Sequence, residues 1–185
     1  MTVDDFFDRL ITALERAGVP YMLTGSYASG TYGIPRATND VDVVIAPSSE
    51  ELRRLLREFP GDRYYADEED AFQSLAAQSQ FNVIDFATSW KADLIFRKDR
   101  EFSRTEFARR RLHSIGGRTV YLVSAEDILI AKLEWAKLGE TERQIEDAAG
   151  VIRRQGAALD RTYVERWVSQ LQLESQWQKA IEKAR

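Results

Sequence analysis

The stretch TGSYASGTYGIPRATNDVDVVI, residues 24–45, decides how the sequence is interpreted. It opens with Gly25-Ser26 and ends with Asp40-Val41-Asp42 and an apolar run. The apolar residues at 21–24 and 40–46 predict two short buried strands. Since the residues between these strands are too many for a hairpin turn, we expect a short helix beginning at Ser26.

The two aspartates of this stretch are separated by a single residue. Side chains alternate between the two faces of a strand, so the carboxylates of Asp40 and Asp42 are expected on the same face. Two neighbouring carboxylates repel each other unless a cation or a basic side chain lies between them, and oxygen ligands suit Mg²⁺. The alternative is a strand end with two solvated aspartates.

Gly25-Ser26 lies where the first strand should end and the helix begin. Backbone N–H groups at the start of a helix, together with a hydroxyl, can hold a phosphate, and a glycine lets the phosphate approach the main chain. The alternative is an ordinary turn, in which Gly-Ser is also frequent.

Hydrophobic spacing, capping residues and glycines predict the other elements. Helices are expected over 3–17, from Ser48 or Ser49 to about Phe59, and over 68–77; strands are expected at 81–86, 91–96 and 119–123. From Ser124 onward the pattern is helical. The sequence therefore predicts an α+β fold, with a mixed β-sheet core over residues 1–123 and a C-terminal helical region, 124–185, packed on it as one compact unit.

The composition excludes several kinds of site. The chain has 185 residues, a net charge of -4, one histidine and no cysteine. Disulfides, a thiolate nucleophile and cysteine-based zinc sites are therefore excluded, and the net charge gives no general attraction to nucleic acid. The acidic N-terminal segment lacks the basic start of a secretory signal, and no apolar run is suited to a membrane, so a cytoplasmic location is expected.

The pattern of Gly25-Ser26, thirteen residues and then Asp40-Val41-Asp42 resembles the signature of the nucleotidyltransferase superfamily that includes DNA polymerase beta. With Gly33, Pro35-Arg36 and Thr38, it is most similar to the AbiEii-type and related small bacterial nucleotidyltransferases, several of which are toxins of toxin–antitoxin systems. The resemblance implies transfer of a nucleoside monophosphate from a nucleoside triphosphate to a hydroxyl group. It also implies two Mg²⁺ ions, or Mn²⁺ in their place.

The same resemblance implies a third catalytic and metal-binding carboxylate on a later strand. Asp93 in KADLIF matches the family's usual context and is preferred, and Asp85 in VIDF is the competitor. A shift of one residue in strand register moves a side chain to the opposite face, so the sequence leaves Asp85 open.

Further residues follow from the resemblance. Arg36 and Thr38 correspond to positions near the phosphates, and Lys132 and Asp147 correspond to a lysine and an aspartate of the active centre. The alternative for Lys132 and Asp147 is a structural ion pair between helices. Small aminoglycoside-type members often carry an arginine where this chain has Ser29, and a shorter loop, which argues against that group.

Residues 97–111 contain seven Arg and Lys and three acids, a net local charge of +4. This basic segment could guide RNA toward the metal site, with Phe102 and Phe107 either in the core or available for stacking. The alternative is a solvated helix face whose arginines pair with Glu101 and Glu106.

The acceptor hydroxyl stays open between RNA, a protein and a small molecule. Two rival hypotheses accompany the transferase. One is a catalytically silent nucleotide-binding or protein-interaction module of a two-component pair; an antitoxin is the partner expected for a toxin. The other is a transferase for a small molecule of the antibiotic type.

Overall fold

The computed structural model describes residues 3–35, 40–139 and 141–185. The helices are α1 Val3–Ala17, α2 Gly25–Tyr32, α3 Ser49–Arg57, α4 Glu68–Ala77, α5 Glu101–Ala108, α6 Ala125–Leu138, α7 Thr141–Gln155, α8 Arg161–Leu171 and α9 Glu174–Ala184. The strands are β1 Tyr21–Leu23, β2 Asp40–Ile45, β3 Tyr64–Tyr65, β4 Gln80–Asp85, β5 Lys91–Phe96, β6 Arg111–Ile115 and β7 Arg118–Leu122.

The described strands form one seven-stranded sheet in the order β3-β4-β5-β2-β1-β7-β6. Strands β2 and β5 are parallel, as are β1 and β7, and the other neighbours are antiparallel. The mixed sheet confirms the predicted α+β fold. Its central pair, β2 and β5, carries the predicted acidic residues.

The helix boundaries follow from capping residues in the sequence. Ser48 caps α3 through a reciprocal pair, in which the Glu51 N–H donates to Ser48 Oγ at 3.3 Å and the Ser48 N–H donates to Glu51 Oε2 at 2.6 Å. Hydrogen bonds to the Glu51 carboxylate from the Ser48 backbone, and then from its side chain, lower the pKa of Glu51. Ser124 caps α6 in a similar position, accepting from the Asp127 N–H at 3.2 Å. These caps confirm the helix starts that the sequence predicts.

Strand β6 is an element that the sequence interpretation did not include. Gly116 and Gly117 join β6 to β7 as a hairpin turn and have φ values of +59° and +83°. Two consecutive left-handed residues are what a tight hairpin of this kind requires, and glycine adopts them at little cost. A glycine pair followed by a strand was therefore the available signal for an antiparallel strand before it.

The described residues form two compact units. The first contains residues 3–23 and 40–122, with the sheet and helices α1, α3, α4 and α5. The second contains residues 24–35, 123–139 and 141–185, with helices α2 and α6 to α9. Residues 24–35 thus group with the helices of the C-terminal region.

Each unit has its own apolar core. In the first, α1 packs Phe6, Leu10 and Leu14 into the interior, and the strands contribute Val41, Val43 and Leu94. In the second, buried residues from the helices include Leu129, Leu133, Val151, Val164 and Trp167. No helix within the described ranges has both the length and the apolar character needed to cross a membrane.

Candidate active site

Four charged residues meet on one face of the sheet, in the first unit. In the parallel pairing of β2 and β5, Asp42 lies directly opposite Asp93, and Asp40 lies opposite Lys91. Directly paired residues share a face, and so do residues two apart on a strand. Asp40, Asp42 and Asp93, called here the acid cluster, therefore project from the same side of the sheet, together with Lys91.

The alternation of apolar and charged residues fixes this arrangement. Val41 and Val43 are fully buried between and beside the aspartates of β2, and Ala92 and Leu94 are fully buried around Asp93 in β5. A slip of one residue would expose this apolar set and bury the charges. Burial of the opposite face thus holds the acid cluster in place.

Lys91 supplies positive charge beside the acid cluster. Its Nζ donates a hydrogen bond to Asp93 Oδ2 at 3.0 Å and lies 2.9 Å from Asp93 Oδ1. The hydrogen bond to Asp93 raises the pKa of Lys91 despite partial burial, and the carboxylates of Asp40 and Asp42 add to the rise. The ammonium is therefore held charged by the acids that it faces.

The donor atoms of the acid cluster are of the type that Mg²⁺ prefers. All three side chains offer carboxylate oxygens, and Asp93 Oδ1 is buried without a well-directed hydrogen bond. As arranged, no group of three His, Cys, Asp or Glu residues within the described ranges is close enough to hold a metal. The three carboxylates are thus of the ligand type that Mg²⁺ prefers, and Lys91 balances the charge of Asp93 in this arrangement.

Asp85 lies on the opposite face of the sheet from the acid cluster. Its neighbour Ile84 is paired with Lys91, so the alternation of β4 directs Asp85 to the other side. There it is fully buried, with Arg9 Nη2 2.5 Å from Oδ2, and its Oδ1 accepts from the Ala87 N–H at 3.0 Å. Asp85 thus belongs to a buried ion pair between α1 and β4 and does not join the acid cluster.

Asn82 is a polar residue beside the acid cluster that sequence reasoning missed. It is the antiparallel partner of Asp93 and so shares its face. Its Oδ1 is buried and has no hydrogen-bond partner in the structure. The available signal was its place between two apolar residues, Phe81 and Val83, which puts a polar side chain on the face opposite the core.

In the second unit, Gly25 and Ser26 begin helix α2. Gly25 has a φ of +61°, a left-handed conformation that favours glycine. Thr24 precedes the helix without a side-chain hydrogen bond to it, and Ser26 is buried. The Thr24 side chain therefore does not cap the start of α2.

Lys132 and Asp147 form a buried ion pair between α6 and α7, also within the second unit. Lys132 Nζ lies 2.9 Å from Asp147 Oδ2, and the two side chains are 5% and 10% exposed. Removing either partner would leave the other charge buried without compensation, which would destabilise the fold. Arg36 and Thr38 lie outside the described residues.

The basic segment 97–111 uses several of its arginines for local packing. The guanidinium of Arg110 lies 4.2 Å from the ring centre of Phe107, and that of Arg100 lies 5.6 Å from the ring centre of Phe102. Both phenylalanines are buried, so of the two alternatives for them the structure shows the core placement. Arg104 pairs with Asp99, a partner that the sequence interpretation did not name.

Comparison with known proteins identifies the fold. No protein-family model and no curated protein matches the sequence. Among solved structures, the solution structure of the antibiotic-resistance factor ANT(2'')-Ia matches with a TM-score of 0.59 and 15% identity, over 97% of this chain and 96% of that chain. The crystal structure of ANT(2'')-Ia in complex with adenylyl-2''-tobramycin matches with a TM-score of 0.57 and 16% identity, over 94% and 97% of the two chains.

A third similar structure is an antigenic nucleotidyltransferase-like protein from Paracoccidioides brasiliensis. It matches with a TM-score of 0.53 and 16% identity, over 96% of this chain and 91% of that chain. At these identities the likeness establishes the fold, and function must be argued from the site. The chain has a nucleotidyltransferase fold along nearly its whole length.

Proposed function

We propose that this protein is a Mg²⁺-dependent nucleotidyltransferase that moves a nucleoside monophosphate from a nucleoside triphosphate to a hydroxyl acceptor. The pairing of Asp42 with Asp93, beside Asp40 on one face of a nucleotidyltransferase-fold sheet, carries the proposal. Three carboxylates on one face offer the oxygen ligands that suit a divalent ion.

In this proposal Asp40 and Asp42 would hold one Mg²⁺ ion at the triphosphate, and Asp93 would help to hold a second ion. When bound, the ions stabilise charge on the attacking and leaving oxygens. Asp93 accepts the proton of the acceptor hydroxyl, while the oxygen of that hydroxyl forms a bond to the α-phosphorus. The bond from that phosphorus to the pyrophosphate oxygen breaks, and pyrophosphate leaves with the electron pair.

The remaining predicted residues are assigned to the triphosphate. Gly25 and Ser26 offer backbone N–H groups and a hydroxyl at the start of α2, and the left-handed Gly25 supports this assignment. Arg36 and Thr38 are assigned to phosphate contacts from the sequence resemblance. Lys132, held by Asp147, supplies a positive charge for phosphate.

RNA is the first candidate acceptor, reached through the basic segment 97–111, in the setting of a toxin with an antitoxin partner. The support is the local charge of +4 on this segment. One of its arginines, Arg110, also packs against the Phe107 ring.

A small hydroxylated molecule is the second candidate acceptor. The observation that favours it is the likeness to ANT(2'')-Ia, an antibiotic-resistance factor, over 96% of that chain's length. The complex of that protein contains adenylyl-2''-tobramycin, a nucleotidylated small molecule. A chain of matching extent and fold is compatible with an acceptor of similar size.

The test is incubation with each α-³²P-labelled nucleoside triphosphate and Mg²⁺, with bacterial RNA, a panel of aminoglycosides or total cell lysate. Asp42→Asn serves as the inactive variant and Asp62→Asn, an exposed site, as its control. We expect label on one acceptor class with the wild type and with Asp62→Asn only. Metal-dependent nucleotide binding without label on any acceptor, lysate included, would instead support the silent binding module.

A further inference from the structure

Lys91 occupies an unusual place for a surface lysine. It shares a face with all three acids, and both oxygens of Asp93 lie within 3.0 Å of its Nζ. A divalent ion bound to Asp93 needs at least one of the same oxygens, at about 2.0–2.1 Å. An ammonium and a metal ion cannot both sit this close to one carboxylate without strong mutual repulsion.

We propose that Lys91 is a built-in counter-cation of the acid cluster, which competes with the divalent ion for Asp93 and must leave that carboxylate when the ion binds. The inference rests on the proposed function, because it takes the acid cluster to be a metal site. It gives Lys91 the role of setting how tightly the metal is held.

The exposure of the two partners allows this exchange. The Lys91 side chain is 37% exposed and the Asp93 side chain 12% exposed. A lysine has a long flexible stem and its ammonium is readily hydrated, so it can move to solvent while Asp93 stays fixed by the strand. The ammonium then neutralises Asp93 in the metal-free protein and leaves the carboxylate accessible to an incoming ion.

The Lys132–Asp147 ion pair differs from the Lys91–Asp93 pair in the exposure of its lysine. Its Nζ–Oδ2 distance is also 2.9 Å, but Lys132 is only 5% exposed. Moving that ammonium away would leave two buried charges uncompensated, which is costly. Of these two ion pairs, the one at Lys91 is therefore suited to exchange with a metal ion.

Mn²⁺ binding to the whole chain without nucleotide tests the inference. Affinity is measured by electron paramagnetic resonance or calorimetry, and the unfolding midpoint is measured in EDTA and in Mn²⁺. The variants are Lys91→Met and Lys91→Gln, which remove the charge, the charge-keeping Lys91→Arg, and Lys98→Met, which removes the same charge from an exposed site just after β5. Asp42→Asn controls for the site itself.

We expect Lys91→Met to bind Mn²⁺ on the order of tenfold more tightly than the wild type, the scale of removing one like charge nearby. Its unfolding midpoint should fall in EDTA and rise further than that of the wild type when Mn²⁺ is added. Lys91→Arg and Lys98→Met should resemble the wild type.

Equal or weaker Mn²⁺ binding by Lys91→Met would overturn the inference, while loss of binding in Asp42→Asn would still support the proposed function. Absence of Mn²⁺ binding in the wild type and in every variant would overturn both. If Lys91→Met fails to fold in EDTA, folding restored by Mn²⁺ supports the inference. Failure of both Lys91→Met and Lys91→Gln to fold even in saturating Mn²⁺ contradicts it, because the ion should replace the ammonium.

Discussion

Asp42 and Asp93 are directly opposite each other on two adjacent parallel strands, although they lie far apart in the sequence. Backbone hydrogen bonds of the sheet fix this relationship, so the two carboxylates do not depend on a loop for their position. Sites built on strands in this way keep their geometry when a single side chain is changed. The acid cluster can therefore be tested by substitutions that preserve shape.

Asp42→Asn should abolish nucleotidyl transfer without unfolding the protein. The change removes one carboxylate charge while keeping the side chain's shape, so we expect a fall in rate of at least about 10²–10³-fold, the scale of losing one transition-state stabiliser. Stability should be unchanged or slightly higher, because repulsion within the acid cluster falls. Rates and unfolding midpoints compared with Asp62→Asn measure both effects. Full activity in Asp42→Asn would contradict the metal assignment.

Asp85→Asn should lower stability and Asp93→Asn should lower activity. Asp85 is fully buried and pairs with the partly exposed Arg9, so its loss should cost about 3 kcal/mol in the free energy of unfolding. The folded fraction of the Asp85→Asn variant should transfer nucleotide at the wild-type rate. Asp93→Asn should lose transfer activity with a smaller change in stability. Denaturant unfolding and initial rates, normalised to folded protein, separate the two, and loss of activity in folded Asp85→Asn would reverse the assignment.

The choice between Asp85 and Asp93 shows what the sequence could and could not predict. The alternation of Asp40, Val41 and Asp42 was sufficient to place two carboxylates on one face. It could not show which face of the neighbouring strands met them, because register between distant strands depends on tertiary packing. The structure provides this register, and with it the positions of Asn82 and Lys91.

The elements themselves were largely predictable where capping residues and periodicity agreed. Helix α4 and strand β5 have the predicted bounds, 68–77 and 91–96. Strand β6 was missed because its residues are mostly exposed and lack an alternating apolar pattern. Strand β3 has two residues, too few for any pattern to indicate.

Substitutions at Lys132 and Asp147 should distinguish a structural pair from a functional one. Lys132→Met should cost about 3–5 kcal/mol in unfolding free energy, because Asp147 would be left charged and buried. The double variant Lys132→Met, Asp147→Leu should recover much of that stability. If Lys132 also binds the triphosphate, the double variant should fold but keep a raised KM for the nucleotide. Recovery of the wild-type KM together with stability would show that the pair is structural only.

Gly33→Ala should destabilise the second unit. A Cβ at Gly33 would lie 2.8 Å from the Ser29 carbonyl oxygen and 2.9 Å from the Val151 nitrogen. Both are backbone atoms that cannot move aside easily, so we expect a loss of about 2 kcal/mol. Gly150→Ala is the matched control, because its nearest contact is 3.4 Å and it lies within α7.

Gly150→Ala should be neutral or slightly stabilising, since alanine favours the helix. Thermal unfolding of the two variants measures the difference between them. Equal stability of Gly33→Ala and the wild type would mean that α2 and α7 do not approach as closely as described.

Tyr21 should make the protein lose stability in alkaline solution. Burial, with the nearby Glu15 carboxylate, raises the pKa of Tyr21 from 10.0 to about 12. Above pH 10 the unfolded chain releases this proton while the folded protein keeps it, so the free energy of unfolding falls as pH rises from 10 to about 12. Allowing for screening by solvent, the loss is about 1–2 kcal/mol.

Tyr21→Phe should remove this part of the alkaline loss, and Tyr65→Phe, at an exposed tyrosine, should not. Denaturant unfolding at a series of pH values from about 9 to about 12 measures the slope for each variant. Because the wild type and Tyr21→Phe share every other ionisable group, the difference between their slopes isolates Tyr21. A Tyr21→Phe protein with the wild-type slope would show that the tyrosine is not held in its neutral form by burial.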